Sequence, residues 1–171
     1  MDTFSIVKPT RVSWEAFKDF RLQALWDEPQ AFSSSYNVEK NAPGKFWQDR
    51  LKNSKEGKRS WMVFAKYGEK LVGMVGAYQT PDDSKNKEAN MVAMFVAKDA
   101  RRKGVAKLLT TSLFEELQNA QLQKVKTCVN IDQLAALHLY KALGFAKVSE
   151  HSLLFGDGKT HTVYLMEKLL T

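Results

Sequence analysis

Apolar and polar positions alternate along the chain with two periods, two for strands and three to four for helices. Phe4-Ser5-Ile6-Val7 alternates as a short strand, closed by Pro9. Ser13 is placed to cap a helix whose stripe begins with Ala16, Phe17, Phe20 and Leu22. That helix is expected to end near Trp26, ahead of Glu28-Pro29, because the residue before a proline disfavours helical torsions. Residues 30–42 are polar and small, with Ser33-Ser34-Ser35-Tyr36 at their centre. Pro43-Gly44 opens a second helix carrying Phe46, Trp47 and Leu51, and residues 52–59 read as a charged loop. Trp61-Met62-Val63-Phe64-Ala65 is a strand, Tyr67-Gly68-Glu69-Lys70 a hairpin turn, and residues 71–78 the return strand. Gly73 and Gly76 inside that strand mark a bulge or a close backbone approach. A polar loop spans 80–87.

The second half opens on Met91-Val92-Ala93-Met94-Phe95-Val96, read as a buried strand. After a short polar turn, Arg101-Arg102-Lys103-Gly104-Val105-Ala106 leads into a stripe of Val105, Leu108, Leu109, Leu113 and Leu117, the signature of a long amphipathic helix. Residues 125–129 alternate as a strand ending at Asn130. Asp132 is placed to cap a helix over 133–142, with Gly144 as its C-terminal stop. A strand over 145–148, a loop over 151–159 and a strand over 161–167, with Val163, Leu165 and Met166 inward, complete the chain. This order predicts a mixed α/β fold, a single sheet of about six or seven strands flanked by about four helices. The three central strands should form an antiparallel meander, and the long helix should cross over to a parallel neighbour.

Composition narrows the class. At 171 residues, 44% hydrophobic and 26% charged, residues 1–171 read as one globular domain. No apolar run is long enough to span a bilayer, and Met1-Asp2-Thr3-Phe4 does not begin a signal peptide, so no membrane partner is expected. The single cysteine, Cys128, excludes an intramolecular disulfide and suits a reducing cytoplasm; it reads as a small buried hydrophobe. His138, His151 and His161 each stand alone and read as structural or exposed. No zinc spacing stands out, and no metal is expected. The net charge of +7 is scattered, with modest clusters at 52–59 and 98–107. No helix-turn-helix or RNA-binding aromatic signature accompanies it, so nucleic acid is not the expected partner.

The basic loop before the long helix is the chemical focus. The first N–H groups of a helix lack partners, and its dipole places positive potential there. A phosphate satisfies both; Gly104 and Ala106 allow close approach, and Arg101, Arg102, Lys103 and Lys107 add charge. The loop resembles motif A of the GNAT acetyltransferase superfamily (Gln or Arg, two free positions, Gly, one free position, Gly or Ala), filled by Arg101, Gly104 and Ala106. Leu139-Tyr140 followed by Gly144-Phe145 resembles that family's Leu-Tyr, three free positions, Gly-Phe signature. Two motifs at the family's separation, within its element order, support each other. The chain departs from the family at Gln133, where Asn is frequent, and at Ala100, where an aromatic residue is frequent.

The resemblance implies transfer of an acetyl group from acetyl-CoA, a co-substrate, to a primary amine of a small molecule or protein. It assigns cofactor contacts to Met94, Phe95, Val96, Arg101, Arg102, Lys103, Gly104, Val105, Ala106, Lys107, Asn130 and Gln133. A backbone amide near Phe95 or Val96 would face the developing oxyanion. Tyr140 would be the general acid toward the leaving sulfur, and Glu88 the best candidate for the base, ahead of Asp82 and Asp83. Phe32, Ser33, Tyr36 and Trp47 would line the acceptor pocket. Leu25, Pro29 and Phe32 resemble the N-terminal helices of bacterial members. A homodimer is left open. The alternatives are a non-catalytic acyl-CoA-binding or regulatory module on the same fold, which would not need Tyr140, and a basic nucleic-acid-binding domain.

Overall fold

Capping residues set several helix boundaries. A computed structural model describes residues 3–171; Met1 and Asp2, which entered the reading of the N-terminus, lie outside the described residues. After β1 (Phe4–Val7), Ser13 caps α1 (Trp14–Asp27), its Oγ accepting the Ala16 N–H at 3.1 Å. Ser35 caps a single turn, α2 (Tyr36–Glu39), inside the stretch expected to be irregular. α3 (Gly44–Glu56) continues through residues expected to be loop and stops at Gly57, whose φ of +60° suits glycine. β2 (Ser60–Tyr67) and β3 (Lys70–Tyr78) form the expected hairpin. A short α4 (Pro81–Lys85) replaces the expected polar loop. Thr80 and Asp83 bond reciprocally to each other's main chain there, a capping box that polarity alone did not reveal.

β4 (Glu88–Val96), α5 (Val105–Asn119), β5 (Lys124–Asn130), α6 (Leu134–Ala142), β6 (Ala146–Leu154) and β7 (Thr160–Leu169) complete the chain. Asp132 does not cap α6; Gln133 occupies that position without a side-chain bond. Gly144 does end the helix. With φ +91° it donates to Lys141 O, while the Phe145 N–H reaches Tyr140 O at 2.9 Å, a paired C-terminal closure. β6 outruns its expected length because its residues are almost all exposed and leave no alternation to read.

The sheet order is β1-β2-β3-β4-β5-β7-β6, with β4 and β5 parallel and every other pair antiparallel. The mixed α/β class, the central meander and the parallel crossover are therefore as expected. Alternation in β2 and β3 divides the core. Trp61, Val63, Val72 and Val75 pack with Val105, Leu109, Leu113 and Leu117 of α5, and with Leu137 and Tyr140 of α6. Phe64, Leu71 and Met74 pack on the other face with Phe17, Phe20 and Leu25 of α1 and Trp47 and Leu51 of α3. Leu108, counted in the α5 stripe, is 46% exposed and flanks it instead. Gly73 serves the first core: a Cβ there would stand 2.8 Å from Leu109 Cδ1, so its absence lets α5 approach the sheet.

Candidate active site

The seam between β4 and β5 is paired only at its beginning. The parallel register runs Glu88–Lys124, Ala89–Val125 and Asn90–Lys126, then stops. Beyond it, the Thr127 hydroxyl donates to Met91 O at 3.1 Å. β4 also carries a bulge. Val92 pairs with Gly76 and Phe95 with Met74, so Ala93 and Met94 together face the single residue Val75. Ala93 has φ +58°, a left-handed conformation that costs a non-glycine residue about 1–2 kcal/mol. The bulge and the unpaired seam open a cavity of about 530 Å³, lined on its two sides by Ala93 and Met94 of β4 and Cys128 and Asn130 of β5.

The chain leaves β4 and enters the basic loop directly. Gly104, at φ +80°, precedes α5 and offers no side-chain cap. The first bond of the helix is Leu108 N–H to Gly104 O at 3.0 Å, so the N–H groups of Val105, Ala106 and Lys107 have no acceptor among the described residues. A Cβ at Gly104 would meet nothing within 4 Å, which leaves space over these donors. Unpaired amides on a helix N-terminus suit a phosphate. The surrounding cations differ in role. Arg101 is a strut: its Nε donates to Val96 O at 2.9 Å, its Nη2 to Glu28 Oε1 at 2.8 Å, and its guanidinium lies over Phe95. Lys103 Nζ donates to Asp99 O. Arg102 and Lys107 are exposed and make no ion pair among the described residues. The loop itself does not line the cavity, and neither do Phe95, which packs on Phe20, and Val96.

Within the cavity, Tyr140 of α6 is 5% exposed, packs on Phe145, and makes no side-chain hydrogen bond to a described residue. Burial raises its phenol above the usual value. Gln133 lines the same wall. Asn130 is committed elsewhere: it donates to Gln30 O at 3.2 Å and accepts from Asp132 N–H at 3.0 Å, tying the end of β5 to the turn after α1. Cys128, expected to be buried, is exposed within the cavity lining, and partial desolvation raises its thiol.

Glu88, the expected base, stands apart from the cavity. It lies outside the cavity lining, and Lys124 at 2.8 Å and Lys126 at 3.0 Å hold its carboxyl below the usual range. Asp83 is likewise engaged. Burial opposes its charge, but bonds from Lys126, Thr80 and Asn90 outweigh that and hold it far below the usual range. Phe32 and Ser33 line the cavity. Tyr36 packs on Trp26 outside the lining. Trp47 is fully buried between Phe17 and Phe46, so it is a core residue.

The cavity also holds residues that sequence reasoning did not select, above all Arg21 and Arg50. Arg21 is 6% exposed and grips Glu39 through Nε at 3.1 Å and Nη2 at 2.9 Å. Arg50 reaches the same carboxylate at 3.4 Å. A signal for Arg21 was present: it sits four residues after Phe17 and four before Leu25, a charge on the buried face of α1.

The comparisons with known proteins agree with this geometry. "N-acetyltransferase 8" of Homo sapiens is 32% identical over 98 residues, covering 57% of this chain and 42% of that protein. "Probable N-acetyltransferase family 8 member 5" of Mus musculus is 26% identical over 139 residues, covering 81% of this chain and 53% of that one. The chain thus spans about half the length of these curated relatives. A Salmonella typhimurium protein solved with its cofactor acetyl-CoA shares the fold with a TM-score of 0.82 at 12% identity, over 99% of this chain and 95% of its own. Residues 19–145, well over half of the chain, match the Acetyltransferase (GNAT) family, and the chain belongs to that family.

Proposed function

We propose that the chain is an acetyl-CoA-dependent N-acetyltransferase acting on a primary amine of a small molecule or protein. The observation that carries this reading is the pairing of an uncapped α5 N-terminus, directly after β4, with an open β4–β5 seam that contains Tyr140. The amides of Val105, Ala106 and Lys107 fit the pyrophosphate, and Arg102 and Lys107 supply charge without breaking an existing pair. Met94 and Gln133 would flank the acyl-bearing arm along the seam. Bound acetyl-CoA supplies an activated acyl group on a thiol that leaves readily.

The chain's own groups then have defined tasks. Tyr140 presents a proton to the leaving sulfur. A thiol ionises near 8.5, and burial lifts the Tyr140 phenol above its ordinary value of about 10, so complete proton transfer is uphill. Tyr140 therefore acts as a hydrogen-bond donor that stabilises the thiolate. No carboxylate or histidine lines the cavity among the described residues. The amine must enter neutral or lose its proton to solvent, and the Arg50 guanidinium, only partly balanced by Glu39, favours the neutral form. This replaces Glu88 as the account of amine activation.

The same absence of a base favours a second reading, a non-catalytic acyl-CoA-binding module. Release of CoA thiol from acetyl-CoA, measured across a panel of amines, separates the two. Turnover above the amine-free rate supports the enzyme; tight acetyl-CoA binding with no turnover of any amine supports the module. The proposal extends to a bacterial type of acceptor site, supported by Leu25, Pro29 and Phe32, although the curated relatives above are animal proteins. It also extends to a cytoplasmic location, supported by the single cysteine, and to a homodimer through the exposed Val148 and Leu154 on the edge strand β6. No helix among the described residues is long and apolar enough to cross a membrane.

A further inference from the structure

The charges around the cavity are unbalanced. Its lining contains two guanidiniums, Arg21 and Arg50, and no other ionised side chain among the described residues. One carboxylate, Glu39, stands behind both. Arg21 takes that carboxylate in a two-point grip and is spent on it. Arg50 has only the long contact at 3.4 Å from one Nη; its remaining donors have no acceptor among the described residues. It is held in place by rings instead, lying 5.4 Å from the centroid of Phe46 and 5.5 Å from that of Phe17. A guanidinium that is two-thirds buried, fixed by aromatic faces and short of acceptors is an anion receptor. Its planar donors match a carboxylate. Most of the rest of the lining is apolar, with Phe32, Val92, Met94 and Leu165 among it, and Phe32 lies under the Arg21 guanidinium.

We infer that the acceptor is an amine that also carries a carboxylate, of amino-acid type with an apolar body, and that Arg50 is the residue that selects it. This rests on the acetyltransferase reading and sharpens its acceptor class. The carboxylate completes the hydrogen bonds of Arg50, while the amine end of the molecule lies along the seam toward Tyr140. Polycationic acceptors meet the excess positive charge of two guanidiniums over one carboxylate and are rejected.

The test compares L-phenylalanine, L-leucine and L-methionine with their own carboxamides and with spermidine, following release of CoA thiol. Acetyl-CoA binding is measured separately by calorimetry. The acids should exceed their amides in kcat/KM by roughly tenfold to a hundredfold, the worth of a charge-assisted bond. The ratio should fall toward one in Arg50→Met and be partly restored in Arg50→Lys. The wild-type comparison needs no variant and stands even if Arg50→Met misfolds. Equal turnover of acids and amides, a preference for spermidine, an acid preference that survives in Arg50→Met, or acetyl-CoA binding with no turnover of any acid would each overturn the inference while leaving the family site intact. Failure to bind acetyl-CoA at all would instead remove the acetyltransferase reading and this inference with it.

Discussion

Tyr140 offers the sharpest test at the scale of a residue. Tyr140 lines the cavity and its hydroxyl has no partner among the described residues, so Tyr140→Phe removes a donor without orphaning a buried acceptor among them. We expect kcat to fall about 10²-fold, with acetyl-CoA affinity near normal by calorimetry. Because burial raises its pKa, the phenol stays protonated beyond its ordinary range. The kcat/KM profile should therefore rise with pH as the amine loses its proton, with no descending limb before about pH 10. A loss of activity between pH 8 and 9 would contradict this. The place of Tyr140 in the cavity was legible because its motif spacing travels with the sequence. Glu88 and Trp47 were misread because their partners come from elsewhere: two lysines on β5 neutralise Glu88, and Phe17 of α1 covers Trp47. Arg21 was legible in principle, as a charge on an apolar stripe. Arg50 was not, since Phe17 of α1 and Glu39 of α2 come against it only in the folded chain.

At the scale of elements, short loops bring the β6–β7 turn against the chain after α1. The Gly156 N–H donates to Phe32 O at 2.7 Å, and a Cβ at Gly156 would collide with the Ser34 carbonyl. Gly156→Ala should therefore cost about 1–3 kcal/mol in denaturant unfolding, as overpacking does. It should also weaken acceptor binding, because Phe32 and Ser33 form the cavity wall. Stability unchanged within about 0.5 kcal/mol would refute that contact. Strands β2 to β4 were readable because each carries an apolar run, and helix α5 because it buries a regular stripe. The end of α3 was hidden by its charges, α4 by its brevity, and β6 by exposure on both faces.

For the whole molecule, acid sensitivity follows from three carboxylates with depressed pKa values. Glu39 is held by Arg21 and Arg50 against its burial, Glu88 by Lys124 and Lys126, and Asp83 by Lys126, Thr80 and Asn90. A carboxyl depressed in the folded state contributes stability that is present above its unfolded pKa of about 4 and is lost as pH falls through the folded value. The Tm should be level from neutral pH to about 5 and fall steeply below about 4; a Tm that held steady to pH 2 would contradict the network. Removing one partner of the buried Arg21–Glu39 pair, as in Glu39→Ala, should cost about 3–5 kcal/mol by denaturant unfolding, because two guanidiniums lose their shared counter-charge.

The central claim is that the uncapped N-terminus of α5 receives the phosphates of acetyl-CoA. Calorimetric titration of the wild type and Gly104→Glu tests it most directly. A Cβ at Gly104 meets no protein atom, so the variant should fold with its φ strain of about 1–2 kcal/mol, and circular dichroism can verify that. The account predicts a micromolar Kd in the wild type, on the order of −8 kcal/mol, and no measurable binding in the folded variant. Absence of binding by the wild type, or equal affinity in both, would contradict it.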